Sequence, residues 1–268
     1  MTPTFTFDHA IIAVSNLDAA TADFRALGFS VFYGGQHADG KTHNALIVFG
    51  DGGYLELLAP TNMNFMTVMD TVDLSSFLDF VAKGDGWAGY ALRVDDIEAA
   101  AAGMRARNLI LSGPAANGRK RPDGTQIAWR TFSVDNSRSP FFIADDTPRV
   151  RRVPDDADKI SHANGVTGVE SLVVAVQKLD RGIAHYRAML AAEPEPGPDI
   201  AGAETARFTF GAFGLVLAAP DTFDSPLYPH LKQRGEVPYE IRLRTNQPAR
   251  AGLLDEQRAH SARIMLVE

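Results

Sequence analysis

His9 and Glu56 are the two residues whose types and places best suit chemistry. His9 stands in a dense apolar run, Phe7-Asp8-His9-Ala10-Ile11-Ile12-Ala13-Val14. Glu56 stands in another, Gly53-Tyr54-Leu55-Glu56-Leu57-Leu58-Ala59-Pro60. A polar group inside such a strand must face a cavity or find a partner, because burying it alone is costly. An imidazole beside a carboxylate can hold a divalent cation such as Zn, Mn, Fe or Ni, with water completing the coordination. Without a metal, Glu56 can take a proton from a carbon next to a carbonyl while His9 polarises the oxygen or holds the carboxylate. A hydrogen-bonded pair that binds nothing is the third reading.

The surrounding unit recurs, and only its first copy carries this pair. A second copy runs from Gly89-Tyr90-Ala91-Leu92-Arg93-Val94 to Phe142-Ile143-Ala144, and a third from Val169–Val176 to Gly214–Pro220. Aligned on the valine before each helix, Gly89 and Ser171 stand where His9 does. Aligned on the later strand, Ala144 and Val216 stand where Glu56 does. Repeats share a backbone, so unequal chemistry at equal places points to where a site lies.

The elements that must position the pair follow from pattern. Residues 6–14 predict a strand, then a helix capped by Ser15 and stopped at Gly28, then strands near 29–34, 43–49 and 53–59. Asp51-Gly52 signals the last hairpin. The module is βαβββ. A short helix is expected over 75–81. The second copy has a strand near 88–94, an alanine-rich helix from Asp95 to about Arg107, and strands near 126–134 and 140–144. Arg119-Lys120-Arg121-Pro122-Asp123-Gly124 reads as a turn. Polar residues 145–166 make the best boundary, so two domains are expected, 1–148 and 165–268. The last stretch predicts a strand at Tyr239–Arg244, a helix near 249–259 and a strand at 262–267, about half a module.

His43 invites promotion to a third ligand. With a two-residue Asp51-Gly52 turn, opposed positions sum to 103, so Glu56 faces Ile47 and His43 faces Pro60. His43 then shares a face with Glu56 but lies roughly 13 Å along the strand, too far for one metal and suited to contacting substrate. A longer loop would turn it away. Arg119, Lys120, Arg121 and Arg130 form the one basic cluster. Arg130, if inward, can hold a substrate carboxylate or phosphate by a two-point contact; otherwise the group is a solvated turn pairing with Asp123. Trp129 reads as core, as do Phe132, Phe141 and Phe142, although these rings could wall a pocket. His37 sits in a polar loop and is expected to be exposed. His162 is expected to serve a turn.

The chain has 268 residues, net charge −7 and no cysteine. An acidic chain without basic runs excludes nucleic acid and anionic membrane as expected partners. Thiolate chemistry and disulfides are absent. No signal segment or apolar membrane run is read, so a cytoplasmic location is expected.

The paired modules, with Asp8-His9-Ala10-Ile11, Thr42-His43-Asn44, Tyr54-Leu55-Glu56-Leu57, Trp129-Arg130 and Pro140-Phe141-Phe142-Ile143, resemble the vicinal oxygen chelate superfamily and most of all its glyoxalase-like domains. The match is good over 5–145 and weaker over 165–268. The resemblance implies an α+β fold of tandem βαβββ modules whose sheets form a cleft, the second half degenerate. It also implies a small-molecule ligand and a metal site fed by both modules, although Gly89 and Ala144 offer no ligand. The expected function is binding of a small oxygen-rich metabolite, with isomerase or lyase chemistry at His9 and Glu56, with or without a metal. The alternative is a non-catalytic sequestering protein of the bleomycin-resistance type. A homodimer is an ordinary expectation for exposed sheet edges.

Overall fold

The computed structural model describes residues 4–61, 77, 80–121, 123–134 and 140–268. The first module comprises β1 (Phe5–Ala13), α1 (Leu17–Ala26), β2 (Phe32–His37), β3 (Thr42–Val48) and β4 (Tyr54–Pro60). The second repeats it as β5 (Gly86–Val94), α2 (Ile97–Ala106), β6 (Leu111–Lys120), β7 (Gln126–Val134) and β8 (Phe141–Asp145). Their strands close into one barrel in the order β1-β4-β3-β2-β6-β7-β8-β5. The helices lie outside it. α1 buries Leu17, Ala20 and Phe24, and α2 buries Ile97, Ala100, Ala101 and Met104, at helical spacing. The outward residues of β3, Ala45 and Ile47, join that outer core.

Asp145 and Val166 are joined by a 3-10 turn (Arg149–Arg151) and a short helix, α3 (Ala157–Ile160). Then come β9 (Val166–Ala175), α4 (Leu179–Leu190), β10 (Glu195–Pro196), β11 (Ala203–Phe210), β12 (Phe213–Pro220), α5 (Leu227–Arg234), β13 (Pro238–Thr245), β14 (Gly252–Leu253) and β15 (Arg263–Val267). These strands form an open sheet, β10-β11-β12-β9-β13-β15-β14. Its centre copies the barrel: β9 pairs parallel with β12 and antiparallel with β13, as β1 does with β4 and β5. It stays open because its edge strands, β10 and β14, are two residues each. The fold is α+β, built from repeated modules.

Several sequence expectations need correction. The N-cap of α1 is Asn16, whose side chain accepts from the Ala19 amide; Ser15 instead donates its amide to Asp85. Arg119 and Lys120 are strand residues of β6, not part of a turn. That strand, Leu111-Ser112-Gly113-Pro114-Ala115-Ala116-Asn117-Gly118-Arg119-Lys120, has a loop's composition, and pairing with β7 overrides it. No helix covers 249–259; a 3-10 turn, β14 and a turn over 256–261 stand there. The helix expected over 75–81 falls mostly outside the described residues.

The β3–β4 hairpin decides one site question. Phe49 pairs with Gly53, and Gly52 takes a positive φ of 82°, so the loop holds three residues, not two. Opposed positions therefore sum to 102: Glu56 faces Leu46, and His43 faces Ala59. A one-residue change in register sends every side chain of a strand to its other face.

Candidate functional site

β1 carries an extra residue opposite β5, since Phe7 pairs with Leu92 while His9 pairs with Ala91. This bulge lets the adjacent residues Asp8 and His9 both turn inward, where each is almost fully buried. β1 and β4 run parallel with Ile11 beside Glu56, so His9 and Glu56 are diagonal neighbours on the barrel wall. His9 Nε2 lies 3.4 Å from Glu56 Oε2. The His9 ring stacks on Tyr54 at 4.6 Å and meets the edge of Phe141 at 5.4 Å.

The corrected hairpin places Asn44 on the face of Glu56, and Asn44 Nδ2 donates to Glu56 Oε1 at 2.6 Å. Gly34 makes room for it: a Cβ there would come within 2.3 Å of Asn44 Oδ1. These groups line a cavity of about 230 Å³ inside the barrel. Leu46, Leu58, Trp129, Phe141 and Ile143 supply its apolar wall, and Asn117, Thr131 and Arg119 a polar one.

Behind His9 lies an ion-pair network. His9 Nδ1 is 2.7 Å from Asp8 Oδ1. Arg152 Nη1 and Nη2 donate to the two Asp8 oxygens at 2.8 and 3.0 Å, and its Nε and Nη2 donate to Asp145 at 2.6 and 2.9 Å. Arg149 also donates to Asp8. Burial alone would raise the Asp8 pKa, but Arg152, the His9 hydrogen bond and Arg149 outweigh it and hold the carboxyl well below the usual range. Asp8 is thus a carboxylate that can only accept, so His9 Nδ1 carries the proton and Nε2 is the atom presented to the cavity. Arg152 is held charged despite burial, because Asp8, Tyr54 and Asp145 surround it.

Some of the candidate residues converge here and others do not. His9 and Glu56 meet in the cavity. His43 does not: the three-residue loop turns it to the outer face, against Tyr33 at 6.0 Å. There burial lowers its pKa, partly offset by Asp18 on α1. Arg130 also faces outward, between cavity-lining Trp129 and Thr131, and ties Asp146 at 2.9 Å to Glu98 at 3.0 Å. The inward member of the basic cluster is Arg119, which is 4% exposed. Of the three phenylalanines, Phe141 walls the cavity, while Phe132 and Phe142 stack on each other in the core at 4.8 Å.

Three residues escaped sequence reasoning. His37 is not in an exposed loop; it ends β2, lines the cavity, and its Nε2 is 3.9 Å from Glu56 Oε1. The other ring nitrogen bonds Thr42 Oγ1 at 2.7 Å. Arg149 and Arg152 come from the polar stretch read as a boundary. The alternation of arginine with apolar residues in Arg149-Val150-Arg151-Arg152-Val153 was the available signal that this stretch packs against something. His162 in the same stretch opens the expected turn, its carbonyl accepting from the Gly165 amide at 2.9 Å, and its ring is also a buried clasp. Its Nδ1 accepts from the Ser30 amide at 3.0 Å and its Nε2 meets Val48 O at 2.9 Å.

The second module offers no counterpart pair. The bulge at Ala88 matches that at Asp8, so Gly89 matches His9. Ile11 pairs with Glu56 as Ala91 pairs with Phe141, so Phe141, not Ala144, stands in the place of Glu56. Among the described residues no group of three or more His, Cys, Asp and Glu is placed to hold a metal ion. Glu56 Oε1 and His9 Nδ1 already have partners, and Arg119 and Arg152 line the same cavity, where a cation would meet two guanidinium groups. This donor set does not fit a Zn, Mn, Fe or Ni ion held by His9 and Glu56.

No curated protein sequence matches the chain. A crystal structure of a hypothetical protein from Staphylococcus aureus is similar at TM-score 0.75 and 16% identity, covering 98% of this chain and 100% of that one. A mutant of 4-hydroxymandelate synthase from Streptomyces coelicolor is similar at TM-score 0.60 and 15% identity, over 95% of this chain and 77% of that one. A fusion of a xylose isomerase-like TIM barrel with 4-hydroxyphenylpyruvate dioxygenase matches at TM-score 0.54 and 18% identity, over 94% of this chain and 40% of that one. At such identities these likenesses concern the fold. A family model described as a glyoxalase-like domain matches residues 7–190. The chain, with its βαβββ barrel and its His9–Glu56 wall, belongs to the glyoxalase-like domain family of the vicinal oxygen chelate superfamily.

Proposed function

We propose that the first barrel binds a small oxygen-rich metabolite and moves a proton on one of its carbons, as an isomerase or lyase, without routing the step through a metal. The observation that carries this reading is the chain Asp8–His9–Glu56 on the cavity wall, with separations of 2.7 and 3.4 Å. Glu56 takes a proton from a carbon next to a carbonyl and becomes the carboxylic acid. The C–H electron pair moves into the new enolate, whose oxygen accepts a hydrogen bond from His9 Nε2–H. The Asp8 carboxylate behind Nδ1 stabilises the imidazolium this requires and fixes its ring. Returning the proton to another face or a neighbouring carbon completes an isomerisation; expelling a group from the next carbon completes a lyase step. The apolar wall excludes water and strengthens these interactions.

The test is exchange of ligand carbon-bound hydrogen in deuterated water, followed by NMR over a panel of small hydroxy- and oxo-metabolites. Wild type is expected to exchange at least one of them, and Glu56→Gln to slow that exchange by about 10²- to 10⁴-fold. Exchange that survives in Glu56→Gln removes Glu56 as the base. Elemental analysis of both proteins checks the metal-free form; metal that is bound by wild type and lost with Glu56 overturns it.

A second reading is a sequestering protein, and it is favoured by Gly89 and Phe141 at the counterpart positions. It predicts a ligand that stabilises the fold by mass action but never exchanges its protons.

A further inference from the structure

Two buried guanidinium groups line the barrel cavity, and their surroundings differ. Arg152 is fully engaged: Asp8, Asp145 and the Tyr54 hydroxyl take its donors. Arg119 is as deeply buried, yet its acceptors are two backbone carbonyls, those of Gly34 and, at 3.2 Å, of Arg152. Among the described residues no ion pair includes Arg119. A buried cation held only by neutral dipoles keeps most of its desolvation cost, and an opposite charge is what relieves it. Burial accordingly lowers the Arg119 pKa, with Tyr54 and Glu56 opposing.

The ring order places this charge usefully. β6 stands four strands from β1 in the eight-stranded barrel, so Arg119 arises from the wall opposite His9. On its own side Asn117 and Thr131, joined by a 2.8 Å hydrogen bond, continue the polar surface. A cavity of about 230 Å³ holds roughly eight heavy atoms if each takes ~30 Å³, as water does. A ligand of that size can span from one wall to the other.

We propose that Arg119 anchors a carboxylate of the ligand, so that the barrel selects small carboxylic acids and presents their far carbons to Glu56 and His9. The planar, always-charged fork of arginine suits a carboxylate in a water-poor cavity. This inference deepens the proposed function and rests on the same cavity, but it concerns binding, not proton transfer.

The test compares affinities by titration calorimetry for hydroxy- and alkyl-carboxylic acids of up to about eight heavy atoms and for the primary amides of the same acids. Wild type is expected to favour an acid over its amide by about 10- to 100-fold. Arg119→Met is expected to bring that ratio to near one, with circular dichroism confirming the fold. Arg119→Lys, which keeps the charge but loses the fork, is expected to keep part of the preference. Equal affinity for acid and amide in wild type overturns the proposal without any variant, as does the absence of acid binding at tens of millimolar. A folded Arg119→Met that keeps the full preference also overturns it. Glu56→Gln separates the two ideas: acid binding retained with proton exchange lost supports both, whereas retained exchange removes only the base.

Discussion

The two halves place the same strands around opposite interiors. In the barrel, the inner faces of β1 and β4 carry Asp8, His9, Tyr54 and Glu56, and the space between the walls stays open. In the open sheet, the equivalent face of β9 and β12 carries Ser171, Val173, Ala175, Val216 and Ala218. α5 lies across it with Leu227 and Leu231 packed into that patch. The register makes the equivalence direct: His9 stands beside Tyr54 as Ser171 stands beside Gly214, and Ile11 beside Glu56 as Val173 stands beside Val216. The difference teaches that the fold supplies a concave face, while eight closed strands keep it hollow. With β10 and β14 cut to two residues each, the sheet cannot close, and an apolar face left open to water must be covered.

The largest expected effect falls on chemistry in the barrel. Glu56→Gln should reduce any exchange or turnover by two to four orders of magnitude, as about 10²–10⁴ is typical of a positioned base. Val216→Glu, which writes the same carboxylate into the second half, should create no activity and should lower stability, because the charge meets leucines. Activity gained by that variant would break the contrast between the halves.

Next comes the stability of the network behind the site. Arg152→Met leaves the buried Asp8 and Asp145 with the part-exposed Arg149 as their remaining guanidinium partner, and urea unfolding should show a loss of ~3–5 kcal/mol. Arg242→Met in the second half should cost less, because Arg242 is 22% exposed where Arg152 is 3% exposed, and Glu240 keeps Arg263 at 2.8 Å. Equal losses would show that both networks are equally isolated from water.

A smaller effect appears in acid. Burial pushes the His230 pKa down to about 4, where Tyr239 packs on its ring at 5.3 Å. The folded pKa is below the unfolded one, so the unfolded chain binds the proton more readily. The stability from a neutral His230 is therefore complete above about pH 6.5 and lost as pH falls toward about 4, on the order of 3 kcal/mol in all. His162, also lowered by burial, acts in the same direction. His230→Phe isolates one contribution: the slope of unfolding free energy between pH 6.5 and pH 4 should flatten. Asp8 has a depressed pKa too, so its contribution is present above about pH 4 and lost only below it. An unchanged slope in His230→Phe would mean that burial of His230 does not contribute to the acid sensitivity.

The smallest effect distinguishes a used polar group from a stranded one. Ser171 Oγ is buried at the place of His9, with no partner among the described residues. Ser171→Ala should be within about 1 kcal/mol of wild type, or more stable, because no hydrogen bond is lost. A larger loss by thermal unfolding would reveal a partner for that hydroxyl.

Much of this was legible from particular residues. The apolar runs around His9 and Glu56 and the repeat itself pointed to strands of a repeated βαβββ module, since strand spacing and repetition are local signals. Gly28 ended its helix in left-handed backbone, as expected of it, and Asn108 does the same after α2. β6 was hidden because its glycine, proline and asparagine read as loop, and with it went the inward direction of Arg119. The side of the strand that His43 faces turned on one loop residue, which Asp51-Gly52 leaves open.

Residue types and their order along the chain therefore determined which groups could do chemistry and which strands carry them, because periodicity and turn chemistry act over a few neighbours. Tertiary structure decided what those groups face. The bulge at Asp8, the three-residue hairpin, the return of Arg152 into the barrel and the closure of eight strands are settled by pairing with distant segments. Those pairings are chosen by burial and hydrogen bonding across the whole fold, and no short stretch of sequence encodes that sum.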